Sequence, residues 1–281
     1  MMNQSINSFI KAALEEDLSS IGDITTMATI PAIQTGKAHF LVKEDCTIAG
    51  IEMAQAIAKM VDPSLVISFD VKDGDKVKKQ DQIGIIEGSI HGILIAERLM
   101  LNCMQRMSGI ATKVSFLKHL IQEYPAKILD TRKTTPNFRL AEKWAVKIGG
   151  GLNHRFGLYD MILIKDNHIK AAGSIQQVLS KTTEYCKTHS LDVPVVIEVK
   201  NKLEFIDALE FDIVSRILLD NMSPEMISEI VQINQNRKPL EVSGGVHQGN
   251  ILAYAATGVD YISIGDITHH VQSIDISLKI I

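Results

Sequence analysis

The sequence predicts an α/β protein whose larger part is a barrel of parallel strands, preceded by a smaller α+β domain. Short continuous apolar runs in the second half, "KILDTRK", "MILIKDNH", "PVVIEVKN", "RILLDN", "LEVSGG" and "YISIGD", each stop abruptly in polar or glycine residues. Taking one residue from each end (Arg132, Lys165, Glu198, Asp220, Ser243 and Gly265), the intervals are 33, 33, 22, 23 and 22 residues. A strand, a helix and two loops need that kind of length. Amphipathic stretches such as "SIQQVLSKTTEYCKTH" and "SPEMISEIVQINQ" fill the gaps. Apolar strands alternating with helices make a parallel sheet covered by helices. Chemistry-bearing residues at every C-terminal end favour a barrel over an open dinucleotide-binding sheet, and no G-x-G-x-x-G opens a helix after the first strand. Six evident strands are fewer than eight, so the barrel is expected to be incomplete.

The elements before the barrel follow in order. Residues 5–18 read as a helix with Ile6, Phe9, Ile10, Ala13 and Leu14 on one face. Asp23 or Thr25 opens an irregular stretch. From about 36 to 92 the alternation in "VISFDV" and the "DGD" turn predict a hairpin-rich sheet, interrupted by the helical "GIEMAQAIAKMV" at 50–61. From Ile93 to about Tyr124 the period is helical again, with Arg98 and Arg106 among the apolar rows of Leu94, Leu101 and Met104. The expected domains are 1–110 and 111–270, with 271–281 returning to the first.

Composition narrows the class. The chain has 281 residues, 46% hydrophobic and 22% charged, enough for sizeable cores. No run reaches the roughly 18 apolar residues a membrane span requires, and the N-terminus has no signal-peptide pattern. Cys46, Cys103 and Cys186 lack metal-ligand spacing and make no disulfide framework, so a reducing, cytoplasmic location is expected. The net charge of −4 argues against nucleic-acid binding, yet residues 130–170 carry eight Lys or Arg against four acids. A basic centre in an acidic chain points to a focused site for a small anion. Arg139, Lys143 and Lys147, at i, i+4 and i+8, fit a solvated helix face instead.

Single polar residues after strands are usually caps or solvated charges, but six ends on one edge form an ensemble. Arg98, Arg132, Lys133, Arg155 and Lys165 suit a ligand with several carboxylates or phosphates: arginine gives planar bidentate contacts, lysine a compact charge. Glycines in "SGGV" (243–246) and "SIGDITH" (263–269) let backbone N–H groups approach an oxyanion, with a following helix N-terminus adding its dipole. "GGGLNHRFGLYD" (149–160) is expected to deliver His154 and Arg155 on a flexible loop. Glu198 and Asp220 repel an anion, and make sense if positive charge develops or if a divalent metal bridges them to a diphosphate.

The block "LDTRKTTPNFRLAEKWAVKIGGGLNHRFGLYDMILIKDNHI" resembles the core of the quinolinate phosphoribosyltransferase family. The likeness extends to "ALEEDLSSIGDITT", "AERLMLNCMQRMSGIAT", "LLDNMSPE", "EVSGGV" and "GVDYISIGDITH", nearly the whole chain in order. It implies an N-terminal α/β sandwich, a C-terminal barrel with fewer than eight regular strands, and a homodimer or dimer-based oligomer in which Arg98 enters the neighbour's site. The family reaction joins quinolinate to phosphoribosyl diphosphate, releasing CO2 and diphosphate with Mg2+. Carried over by motif, Arg98, Thr131, Arg132, Lys133, His154, Arg155 and Lys165 match the positions that bind the two carboxylates, with Lys133 also facing the phosphoribosyl diphosphate. Glu198 and Asp220 match the acids near ribose and metal. Lys133, Lys165, Glu198 and Asp220 are the residues expected to act in catalysis. Ser243, Gly244, Gly245, Ile264, Gly265, Asp266 and His269 match the 5′-phosphate region.

Val196 and Lys200 stand where the family usually has acids, Asp266 where a small residue is common, and His270 where serine is frequent. Three other readings stay open. A paralogous phosphoribosyltransferase would act on another base. A Schiff-base aldolase would use Lys165. A phosphometabolite-binding protein would bind without turnover.

Overall fold

The computed structural model describes residues 2–281. Contacts divide them into two compact units, Met1–Ser115 with Thr134–Gly150 and Ile267–Ile281, and Phe116–Lys133 with Gly151–Asp266. The break expected at 110/111 falls inside a helix, and the chain crosses between units more than once.

The first unit opens with α1 (Met2–Leu18), α2 (Ile24–Thr29), β1 (Thr35–Val42), β2 (Cys46–Thr47) and α3 (Ile51–Val61). Next come β3 (Val66–Phe69), β4 (Lys76–Val77), β5 (Gln82–Ser89) and the long α4 (Ile90–Leu120). Asp23 caps α2, accepting from the Thr25 and Thr26 N–H groups at 3.1 and 3.0 Å. β1 alternates as its period demands, with Ala38, Phe40 and Val42 buried. It sits at the centre of an antiparallel sheet ordered β12-β1-β5-β3, so the C-terminal strand β12 (Ile276–Ile280) pairs beside it. On α4 the row Ile93, Ala96, Met100, Met104, Met107, Ala111 and Val114 is buried at helical spacing. Gly50, at φ +97, lets α3 start hard against α4: a Cβ there would stand 3.2 Å from the Met104 Cα. Helices and sheet make the expected α/β sandwich.

α5 (Arg139–Ile148) also belongs to this unit. Only part of its charged row is solvated: Lys147 is exposed, but Lys143 is 1% exposed, because the helix turns it inward beside buried Glu142. Glu142 accepts from Arg106 Nε at 2.8 Å and from the Thr135 N–H at 3.1 Å. Arg106 therefore anchors the 134–138 segment.

The second unit holds β6 (Lys127–Leu129), β7 (Ile162–Ile164), α6 (Asp166–Ala172), α7 (Ile175–Thr188), β8 (Val195–Val199) and α8 (Lys202–Leu209). β9 (Val214–Asp220), α9 (Pro224–Asn234), β10 (Leu240–Ser243), α10 (Ile251–Ala255) and β11 (Tyr261–Ser263) complete it before α11 (Asp266–His269). Ser174, Asn201 and Ser223 cap α7, α8 and α9 through side-chain oxygens, so each helix starts where its sequence provides an acceptor. The strands are all parallel in the order β6-β11-β10-β9-β8-β7. That order is cyclic with one link absent, between β6 and β7. There Leu152 bridges Leu129, donating to the Ile128 carbonyl at 2.8 Å and accepting from the Asp130 N–H at 3.2 Å. The barrel is incomplete, as expected, and a loop residue pairs with the open edge of β6. Ile128, Ile164, Ile197, Ile217, Leu219, Val242 and Ile262 are buried on the sheet face opposite to Glu198, Arg216, Glu241 and Ser263, each burial stabilising by about 1.5–3 kcal/mol.

Candidate active site

Parallel strands bring their C-terminal ends to one edge, so the end residues predicted from sequence share it. β6 runs into Thr131, Arg132 and Lys133, where Thr131 Oγ1 accepts the Lys133 N–H at 3.0 Å and closes a tight turn. Lys165 follows β7, Glu198 ends β8 but for one residue, and Asp220 and Ser243 are the last residues of β9 and β10. Ile264 and Gly265 follow β11, with Asp266 opening α11.

Two guanidinium groups give this mouth its cationic, anion-binding character. Burial pulls the Arg155 pKa down, and the like charge of Arg132 pulls it further. Arg155 Nη1 donates to the Met161 carbonyl at 3.1 Å. The Nε of Arg132 is buried with no hydrogen-bond partner. A buried donor left unpaired is costly, and an anion received between two such cations removes both the repulsion and the orphan.

The acids have cationic company. Lys165 Nζ lies 2.8 Å from Glu198 Oε2, with the lysine side chain 48% exposed and the glutamate 7%. Lys200 contacts Asp166 at 2.7 Å; the Asp166 hydrogen bond, then the charges of Asp166, Glu198 and Asp220, raise its pKa. Asp220 accepts from Asn221 Nδ2 at 2.8 Å. Glu198 and Asp220 each meet these partners through one oxygen. Mg2+ takes one or two carboxylates and completes its shell with water and phosphate oxygens. These residues fit a magnesium ion arriving with a diphosphate; Lys165 and Lys200 disfavour one arriving bare.

At the end of β10 the backbone turns left-handed through Gly244 (φ +93) and Gly245 (φ +62). A Cβ on Gly244 would stand 2.3 Å from Asn221 Oδ1, whereas one on Gly245 would meet nothing within 4 Å. The space beside Gly245 suits a phosphate against backbone N–H groups. The expected dipole contribution is small: α10 starts only at Ile251, and α10 and α11 span 5 and 4 residues, too short for much macrodipole.

His154, which the resemblance implied as a carboxylate ligand, is 8% exposed and hydrogen-bonded on several sides. Its Nδ1 accepts the Arg155 N–H at 2.8 Å, which leaves the proton on Nε2, 3.4 Å from Glu241 Oε1. Its own N–H donates to Asp130 Oδ1 at 2.8 Å. Glu241 accepts from Ser263 and faces Arg216 Nε at 2.9 Å, an ion-pair contact without hydrogen-bond alignment. Arg216 lies over the Tyr261 ring, 4.9 Å from its centroid. Burial alone would push the Glu241 carboxyl up; His154, Arg216 and Ser263 outweigh it and hold the pKa below its ordinary 4.5. This polar tier escaped sequence reasoning. Its signal was a charge inside two apolar runs, Arg216 in "RILLDN" and Glu241 in "LEVSGG".

Two predicted residues belong to the first unit. Arg98 is exposed on α4 beside a pocket of about 530 Å³ lined by Phe9, Glu16, Asp17, Arg106 and Phe138. His269 is exposed at the end of α11.

A barrel edge with a guanidinium pair, backbone N–H groups at a glycine turn and two half-engaged carboxylates places the protein among barrel enzymes of small polyanionic substrates. Family models identify it further. The quinolinate phosphoribosyl transferase N-terminal domain matches residues 23–108 and the C-terminal domain residues 110–279; the chain belongs to this family. It is 44% identical to quinolinate phosphoribosyltransferase [decarboxylating] 1 of Nicotiana glauca, over 96% of this chain and 81% of the relative. A probable nicotinate-nucleotide pyrophosphorylase [carboxylating] of Bacillus subtilis is 37% identical over 94% of this chain and 90% of its own length. The nicotinate-nucleotide pyrophosphorylase structure from Francisella tularensis superposes with a TM-score of 0.92 at 38% identity, covering 99% of this chain and 97% of that one.

Proposed function

We propose that the protein transfers phosphoribosyl from 5-phosphoribosyl 1-diphosphate to quinolinate with decarboxylation, forming nicotinate mononucleotide, CO2 and diphosphate for NAD biosynthesis. The observation that carries this is the Arg132–Arg155 pair with its buried, unpartnered Nε, a cradle for a dianion in a chain of this family. Arg132, Arg155 and Lys133 hold the two carboxylates and aim the ring nitrogen at the anomeric carbon. Gly244 and Gly245 receive the 5′-phosphate through backbone N–H groups at their left-handed turn, with Ser243, Ile264, Gly265 and Asp266 bordering that subsite.

As diphosphate departs, positive charge builds on the ribose ring, and Glu198 and Asp220 stabilise it. Magnesium, when bound with the substrate, supplies neutralisation of the departing diphosphate, and Glu198 and Asp220 would hold it through their remaining oxygens. Lys165 holds Glu198 in place and adds its charge to the dicarboxylate side. Once the nitrogen is quaternised, the C2–carboxylate bond breaks, its electron pair stays on C2 beside the cationic nitrogen, and a proton replaces CO2.

The functional molecule in this reading is a homodimer in which Arg98 of each copy completes the other's site. Exposed Ile21, Ile24, Met27 and Ile33 supply apolar surface for such an association. Three free cysteines, two of them buried, suit a reducing compartment such as the cytoplasm, and no helix among the described residues is long and apolar enough to cross a membrane. Incubation with quinolinate, phosphoribosyl diphosphate and Mg2+ should yield nicotinate mononucleotide and CO2 in equal amounts. Arg132→Ala should lower kcat/KM by about a hundredfold or more. A folded, assembled protein with no turnover would reject quinolinate as substrate.

A further inference from the structure

Beside the two acids at the strand ends stands a cation that the chemistry above leaves unused. Lys200 follows β8 directly, two residues after Glu198. One step beyond the paired Val199 and Leu219, it comes level with Asp220, the last residue of β9. Its backbone is pinned: the Lys200 N–H donates to Glu204 Oε2 at 2.8 Å, and the next residue, Asn201, caps α8. Its side chain remains 45% exposed.

The partner of that ammonium is shared. Asp166 Oδ2 meets Lys200 Nζ at 2.7 Å and Lys170 Nζ at 3.7 Å, one carboxylate oxygen for two ammonium groups. The charges of Glu198 and Asp220 also act on Lys200, so it lies within the field of both acids at the mouth. An ion pair this exposed is weak, and a flexible four-carbon stem lets the ammonium exchange a carboxylate for a more highly charged anion nearby. Lys200 stands where the family usually has an acid, a change that moves the charge of the mouth toward what a diphosphate requires.

We propose that Lys200 leaves Asp166 to contact the diphosphate of phosphoribosyl diphosphate, and supplies part of the neutralisation that magnesium otherwise brings. The inference rests on the function proposed above, which puts a diphosphate beside Glu198 and Asp220. It splits the substrates: removing the ammonium weakens the diphosphate and spares the pyridine dicarboxylate. It also makes Asp166 a competitor of the diphosphate for Lys200, not a support for it.

The test is calorimetric titration of the whole protein with inorganic diphosphate, first in EDTA and then with Mg2+. Lys200→Gln should weaken binding about tenfold in EDTA, and by less with Mg2+, whose charge covers the loss. Asp166→Asn keeps an Oδ1 acceptor for the Asn167 N–H but releases the lysine, and should tighten binding about twofold or more. Lys170→Gln, at a side chain 75% exposed, should leave it within about twofold. In steady state, Lys200→Gln should raise the KM for phosphoribosyl diphosphate and leave that for quinolinate within about twofold. Were Lys200 and Asp166 only a structural pair, breaking it from either end would have one effect. Weaker binding in both variants, no change in Lys200→Gln, a loss no smaller with Mg2+, or equal rises in both KM values would overturn the proposal. Wild-type protein that binds diphosphate through Lys200 yet fails to convert quinolinate would uphold it and reject that substrate. Wild-type protein that binds no diphosphate under either condition would overturn both readings.

Discussion

Arg132 and Arg155 show how a single residue's environment carries information that its identity does not. A guanidinium is always charged, so neither arginine can relieve the repulsion between them by losing a proton. Only a counter-anion can: Asp160 offsets part of the charge on Arg155, and a bound dianion would neutralise both arginines. Glu241 poses the converse problem, a buried acid kept ionised by its neighbours. Its folded-state pKa lies below the 4.5 of an unperturbed glutamate, so the unfolded chain binds the proton more readily. The stability it contributes is complete above about pH 4.5, and falls as pH drops through the folded value. Wild type and Glu241→Gln should therefore differ in thermal midpoint at pH 7 and draw together in acid; a constant difference down to pH 3 would refute the assignment. Sequence showed Arg132, Lys165 and Asp220 because they interrupt apolar strands at their ends. It hid the role of Glu241, whose partners His154 and Arg216 lie 87 and 25 positions away and meet it only through the curvature of the sheet.

At the level of strands and turns, the parallel sheet was legible because each strand is buried and so nearly uniformly apolar, Val195–Val199 being buried at every residue. Helix starts were legible where a cap is a local device, as at Ser174 and Ser223. The dipole contribution was overestimated because turn length after β10 is set by the left-handed pair Gly244 and Gly245, which the letters "SGG" do not specify. That pair is not symmetric. Gly244→Ala combines a disfavoured φ with a clash into Asn221 and should cost about 1–3 kcal/mol, with a raised KM for phosphoribosyl diphosphate. Gly245→Ala meets open space and should cost about 1–2 kcal/mol. Thermal melts and KM values of the two variants check the order, and equal effects would contradict it.

For the whole molecule, composition and periodicity announced two kinds of architecture but not how the chain shares itself between them. α5 reads as one more barrel helix, yet Thr134–Gly150 belongs with the N-terminal unit because the Arg106–Glu142 pair binds it there. No local pattern encodes such a return. The proposed sharing of Arg98 between copies has a quantitative signature: Arg98→Ala and Arg132→Ala protein, each inactive, should regain about a quarter of wild-type activity when subunits are randomly mixed. Recovery of none would place Arg98 in its own copy's site. The absent rung of the barrel has a consequence for how such a chain can diverge. Leu152 pairs with the free edge of β6 through its backbone, while the residue is 41% exposed. Selection therefore has little to act on in that residue's identity, and much in the number of residues between Leu129 and His154. One inserted or deleted there would carry the imidazole out of register with Glu241. The seam tolerates respelling and resists any change of length.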